Sequence, residues 1–91
     1  MTNKQAKKMK EQIVDYSFNE DDRTFAPMKA VLFLKNGETK VINLYTEEHD
    51  EQSGFLEVEH GFIVLDYFEK GQTENISIDP EFVFAFHLEL L

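Results

Sequence analysis

Three histidines, three serines and a large surplus of carboxylates are most of what this sequence offers to chemistry. His49 stands among Glu47, Glu48, Asp50 and Glu51, His60 precedes Gly61, and His87 lies between Phe86 and Leu88. A metal centre needs three or four donors brought together, often with histidines at a fixed helical step, and no two of these histidines stand four residues apart. The acids around His49 could attract a divalent cation. Their run is contiguous, however, and its glycine comes only at Gly54, so it lacks the alternating oxygens and central glycine of a calcium loop. That stretch reads more simply as a solvated loop; Asn19-Glu20-Asp21-Asp22 fails in the same way and reads as a linker or a helix-cap region. Ser53-Gly54 has glycine on one side only, unlike the turn that presents a nucleophilic serine. Four scattered glycines build no phosphate cradle. Glu57 and Glu59 share a strand face, as any solvent-facing pair would. The absence of cysteine excludes disulfides, zinc-thiolate sites and thiol nucleophiles. The expectation is a protein that is not an enzyme and has no metal or cofactor.

Charge narrows the choice of partner. The net charge is −9, and it is unevenly spread. Lys4, Lys7, Lys8 and Lys10 outweigh Glu11 and Asp15 in the first eighteen residues, and the acids dominate everything after them. An acidic body repels phosphate backbones, so direct nucleic-acid binding by that body is disfavoured. The polar, lysine-rich start has no apolar run behind it and does not read as a secretion signal. The longest apolar stretch, Phe62 to Leu65, is far too short to cross a bilayer. A cytoplasmic protein without membrane contact is expected, and at 91 residues a single domain.

The elements follow from periodicity. Ala6, Met9, Ile13 and Tyr16 recur at steps of three and four and predict an amphipathic helix over 1–18, with Thr2 or Asn3 capping its first turn. A polar linker over 19–26 follows. From Pro27 the period becomes two. Met28 to Lys35 reads as a strand with Ala30, Leu32 and Leu34 on one face and Val31 and Phe33 on the other. Asn36-Gly37 is a strong hairpin signal, since both residues tolerate positive φ, and Thr39 to Thr46 pairs back. An acidic loop over 47–54 leads to strands at Phe55–Glu59, Phe62–Glu69 and Thr73–Ile78. The turns between them fall at His60-Gly61 and Lys70-Gly71-Gln72. Asp79-Pro80-Glu81 introduces a last strand, Phe82–Leu90. The strand from Phe62 is apolar on both sides, which predicts cover on both faces. The fold class is therefore α+β, mainly β. A five- to six-stranded antiparallel meander over 27–91 would form a strongly bent sheet or small barrel.

The segment VLFLKNGETKVINL, Val31 to Leu44, is similar to the first hairpin of Sm-like and SH3-like barrels, and the order of elements resembles theirs in outline. The basic residue and glycine with which the Sm-like family contacts RNA are absent. Asp79-Pro80-Glu81 stands at the equivalent place, so the resemblance implies a fold outline and no functional residue.

Two features carry functional expectations. Strict alternation sets Phe82, Phe84, Phe86, Leu88 and Leu90 on one face of the last strand, more apolar surface than one small core absorbs. If that strand is an edge, its unpaired backbone invites another chain. The first expectation is a small non-catalytic binding module acting through protein–protein contacts and forming a homodimer through this strand. The second feature is the spread of exposed acids, foremost Glu47, Glu48, Asp50 and Glu51. Such carboxylates could imitate DNA phosphates, which gives the alternative: a nucleic-acid-mimicking inhibitor of a DNA- or RNA-binding protein, of the kind phages and mobile elements encode. The simpler role of the same acids is solubility.

Overall fold

The computed structural model describes residues 1–45, 53–69 and 72–91, with the backbone alone at 53 and 67–69. Helix α1 spans Asn3–Ser17. Its first turn is closed by a reciprocal capping box: Thr2 Oγ1 accepts from the Gln5 amide at 3.1 Å, and Gln5 Oε1 accepts from the Thr2 amide at 2.8 Å. The buried stripe is Ala6, Met9, Ile13 and Ser17. Tyr16, expected on that stripe, points to solvent. Four residues beyond Ile13 suit the helical period better than three here, and Ser17 takes the inward slot by donating its hydroxyl to the Ile13 carbonyl.

The expected linker over 19–26 is partly structured. Strands β1 (Phe18–Asn19) and β2 (Thr24–Phe25) form a small antiparallel hairpin, with Phe18 opposite Phe25. Asn19 Oδ1 accepts from the Asp21 amide inside the turn, and Arg23 takes positive φ. The Phe25 ring stacks on Tyr45 with centroids 4.6 Å apart. Two strands this short carry almost no periodic signal, which is why the sequence reads as a linker.

Six strands make the main sheet: β3 (Met28–Leu34), β4 (Thr39–Leu44), β5 (Ser53–Glu59), β6 (Phe62–Glu69), β7 (Gln72–Ile78) and β8 (Val83–Leu90). Their order is β7-β6-β5-β4-β3-β8. The expected hairpins β3–β4, β5–β6 and β6–β7 all form. A continuous antiparallel meander does not. β4 and β5 run parallel, paired among the described residues through Asn43–Ser53 and Leu44–Gly54, and β8 returns to lie beside β3. The sheet is open, with β7 and β8 as its two edges, so the small barrel is not formed among the described residues. Two antiparallel halves, β4-β3-β8 and β5-β6-β7, thus meet at a narrow parallel seam.

One face of the sheet holds the core. Met28, Ala30, Leu32, Leu34, Ile42, Leu44, Leu56, Ile63, Leu65 and Val83 close against Ala6, Met9 and Ile13 of α1. Among the described residues, β6 is covered on one face: Ile63 and Leu65 are buried, whereas Phe62 lies on the face away from the helix and is exposed. Beyond Gly54, β5 has outrun β4 among the described residues, and α1 packs beside it. There Lys10 Nζ donates to the Leu56 carbonyl at 2.7 Å and reaches Glu57 Oε1 at 3.1 Å. Glu57 and Glu59 share one face, as expected.

The turns are short and specific. His60 and Gly61 both take positive φ, as a two-residue hairpin of the primed kind demands. At Asn36-Gly37 only Gly37 does so. The Gly37 amide bonds the Leu34 carbonyl and the Leu34 amide bonds the Glu38 carbonyl, which leaves Lys35, Asn36 and Gly37 as a three-residue loop with the glycine in the left-handed position. The Asp79-Pro80-Glu81 segment opens a single 3-10 turn, Pro80–Phe82, capped by Asp79 Oδ1 on the Glu81 amide. The expected turn at Lys70-Gly71-Gln72 lies mostly outside the described residues. The Met1 amine donates to the carbonyls of Pro80 and Val83, tying the start of α1 to this corner.

Candidate functional site

Strand β8 is positioned by β3, its single described neighbour. Leu90 pairs with Met28, Leu88 with Ala30, Phe86 with Leu32 and Ala85 with Phe33, and then the register slips so that Val83 faces Leu34. Phe84 is the extra residue of this bulge. A bulge exchanges the faces of the residues on either side of it, and this one breaks the expected stripe. Phe86 and Leu88 turn toward the helix side and pack against the core, and Val83, expected on the wetter face, is fully buried. Phe84 turns the other way and is 65% exposed, its ring 6.2 Å from that of Phe33. Phe82 belongs to the 3-10 turn and is exposed, and Leu90 is half exposed near the far end of the strand. Phe82, Phe84, Phe86, Leu88 and Leu90 therefore do not form one apolar face. They form an edge whose apolar side chains divide between both faces.

The backbone of that edge can be read from one bond. The Leu91 amide donates to the Pro27 carbonyl at 3.0 Å. Hydrogen-bonded and non-hydrogen-bonded pairs alternate along an antiparallel ladder. Glu89, His87 and Ala85 therefore direct their amides and carbonyls toward β3, and Leu90, Leu88 and Phe86 direct theirs to the open side. On the outer face Glu89 sits beside two cations or donors, with Lys29 Nζ at 3.6 Å and His87 Nε2 at 3.5 Å from the same carboxylate oxygen.

The other edge is different in kind. β7 presents Gln72, Thr73, Glu74, Asn75 and Ser77 to solvent. Polar and charged residues are a common way to blunt a sheet edge. Among the described residues, the polar side chains of β8 between Phe86 and Leu90 are His87 and Glu89.

The uncovered face of the sheet is the feature that sequence reasoning missed. Phe33, Phe55, Phe62 and Phe84 are all exposed there. The alternation of each strand held the signal, since Phe33 and Phe55 fall opposite the buried residues. Cover by a closed barrel was the expectation that hid it. Phe55, Val64, Glu57, Glu59, Asp66 and Asn75 line a concavity of about 340 Å³. Glu47, Glu48, Asp50 and Glu51, with His49, lie outside the described residues. His60 occupies its hairpin turn and His87 the outer face of β8. Among the described residues, no three histidine or carboxylate side chains come together as a metal cluster, and no helix is long and apolar enough to cross a membrane. No protein-family model matches the chain, and no curated protein or solved structure is significantly similar to it.

Proposed function

We propose that this chain is a small, non-catalytic, acidic binding module that works through protein–protein contacts and self-associates through the β8 edge. The observation that carries this reading is the contrast between the two sheet edges. The exposed side chains of β7, Gln72, Thr73, Glu74, Asn75 and Ser77, are all polar, with Ile76 and Ile78 turned to the core, whereas β8 offers the outward amides and carbonyls of Phe86, Leu88 and Leu90 with Phe84 and Leu90 exposed beside them. Strand addition at such an edge gains main-chain hydrogen bonds and apolar contact together. The mechanism is recognition by shape and backbone pairing, with no bond made or broken.

The decisive variant is Leu90→Pro. The Leu90 amide points away from β3, so proline there removes an outward donor and leaves the β3 ladder intact, as edge prolines do. Sedimentation equilibrium is expected to give a dimer for the wild-type chain and a folded monomer for Leu90→Pro. A wild-type chain that sediments as a monomer up to millimolar concentration refutes the reading.

The alternative, a nucleic-acid mimic, draws its support from Glu57, Glu59 and Asp66 around the concavity on the uncovered face. It predicts binding to a basic protein that weakens steeply with salt and is lost in Glu57→Gln/Glu59→Gln/Asp66→Asn. Binding that ignores ionic strength counts against it.

A further inference from the structure

The edge geometry points to one register for this self-association: two copies of β8 pair antiparallel about Leu88, joining two six-stranded sheets into one. The inference rests on the self-association proposed above and adds the residue pairing. Only residues whose amides face outward can make the new ladder, and in β8 those are Phe86, Leu88 and Leu90. A two-fold dimer must therefore be centred on an outward residue or on the inward residue between two of them.

Each centre makes a different contact on the outer face. Centring on Glu89 sets two Glu89 carboxylates opposite each other, and like charges directly across a pair are destabilising. Centring on His87 sets the two imidazoles together and leaves each Glu89 facing an Ala85. Centring on Phe86 draws the Phe84 bulge into the paired segment, where the slip in register interrupts the ladder. Centring on Leu90 leaves only Glu89, Leu90 and Leu91 to pair, with a single outward residue making ladder bonds. Centring on Leu88 avoids all four. His87 of each copy faces Glu89 of the other, Phe86 faces Leu90, and Leu88 faces itself. The bulge stays outside the paired stretch. Lys29, already 3.6 Å from Glu89, keeps the outer cluster balanced, with each carboxylate beside one ammonium and two imidazoles. Opposed residues in an antiparallel pair project to the same face, so both copies of α1 lie on one side of the joined sheet.

The chain has no cysteine, so single-cysteine variants report the register without background. In the Leu88-centred pair the two residue-88 Cα atoms lie about 5.5 Å apart, within the span of a disulfide. Positions 85, 87 and 89 each lie beyond about 7 Å from their own copy, outside that span. Under mild oxidation of the full chain, Leu88→Cys is expected to double in mass on a non-reducing gel. It should do so on the order of ten-fold faster than Tyr16→Cys, an exposed helix site that reports random collision. An equimolar mixture of His87→Cys and Glu89→Cys, both on exposed side chains, is expected to give the mixed disulfide in preference to either self-linked product. This second measurement stands if Leu88→Cys fails to fold. Self-linking of His87→Cys or of Glu89→Cys, with the wild type still a dimer, overturns the register and leaves the self-association standing. A monomeric wild type overturns both.

Discussion

Replacing Lys10 by methionine tests the seam on which the fold depends. Past Gly54, β5 has no described strand on its β4 side, so the Leu56 carbonyl lacks a ladder partner. Lys10 Nζ supplies the donor at 2.7 Å, and the lysine side chain is only 22% exposed. Methionine keeps the apolar stem against the core and removes the ammonium. A buried carbonyl left without its donor costs about 1–3 kcal/mol. This site is partly buried, so the lower half of that range applies. The ion pair with Glu57 adds at most about 0.5 kcal/mol, because that carboxylate is half exposed and screened by water. The expected loss is therefore about 1.5 kcal/mol, or a fall of about 1 M in the urea midpoint for a domain of this size. Measured by urea unfolding at fixed protein concentration, Glu57→Gln should lose less than about 0.5 kcal/mol, since the bond to Leu56 survives. Unfolding of Lys10→Met within about 0.5 kcal/mol of wild type would show that the Leu56 carbonyl does not depend on this donor. Equal losses in the two variants would make the ion pair, and not the carbonyl, the stabilising contact.

Ile13→Ala removes a side chain with no solvent exposure from the centre of the helix stripe and should cost about 2–5 kcal/mol by thermal or urea unfolding. Gly37→Ala should cost about 1 kcal/mol through backbone strain alone, because its φ is +90° and an added Cβ meets nothing within 4 Å. His60→Gly should raise stability by up to about 1 kcal/mol, since His60 holds φ at 51° in a turn where glycine pays no steric penalty. Phe84→Asp should leave the circular dichroism spectrum native while Phe86→Asp unfolds the chain, because only Phe86 packs against the core. Equal behaviour of the two would mean that the bulge is misplaced.

Local signals in the sequence were enough for the helix, most strand bounds and the inward face of β3. Ala30, Leu32 and Leu34 alternate in sequence and are all buried in the fold. Topology was beyond reach for a physical reason. Alternation says which face a residue occupies on its own strand, but not which strand lies alongside. The return of β8 to β3 and the parallel Asn43–Ser53 bridge depend on pairings distant in sequence that leave no periodic trace. The bulge at Phe84 was hidden for a related reason. It arises from fitting Val83 under Leu34 while Ala85 stays opposite Phe33, a demand made by the partner strand. The five residues picked out for partner binding do converge on one edge, although their single apolar face does not exist.

That bulge also bears on how an exposed edge can be tolerated. A regular β8 would carry Phe82, Phe84, Phe86, Leu88 and Leu90 along one side, a long apolar template open to unlimited pairing. The slip at Phe84 ends the regular segment there, and only the stretch from Ala85 onward can accept a straight partner. His87 and Glu89 then set the register within that stretch, since a neighbour shifted by one outward step meets a like group or an alanine. An edge shortened in this way and marked by one complementary pair favours a closed two-fold pair over an extending sheet. The polar character of β7 works to the same end, because after two copies join through β8 the outer edges of the joined sheet are both β7.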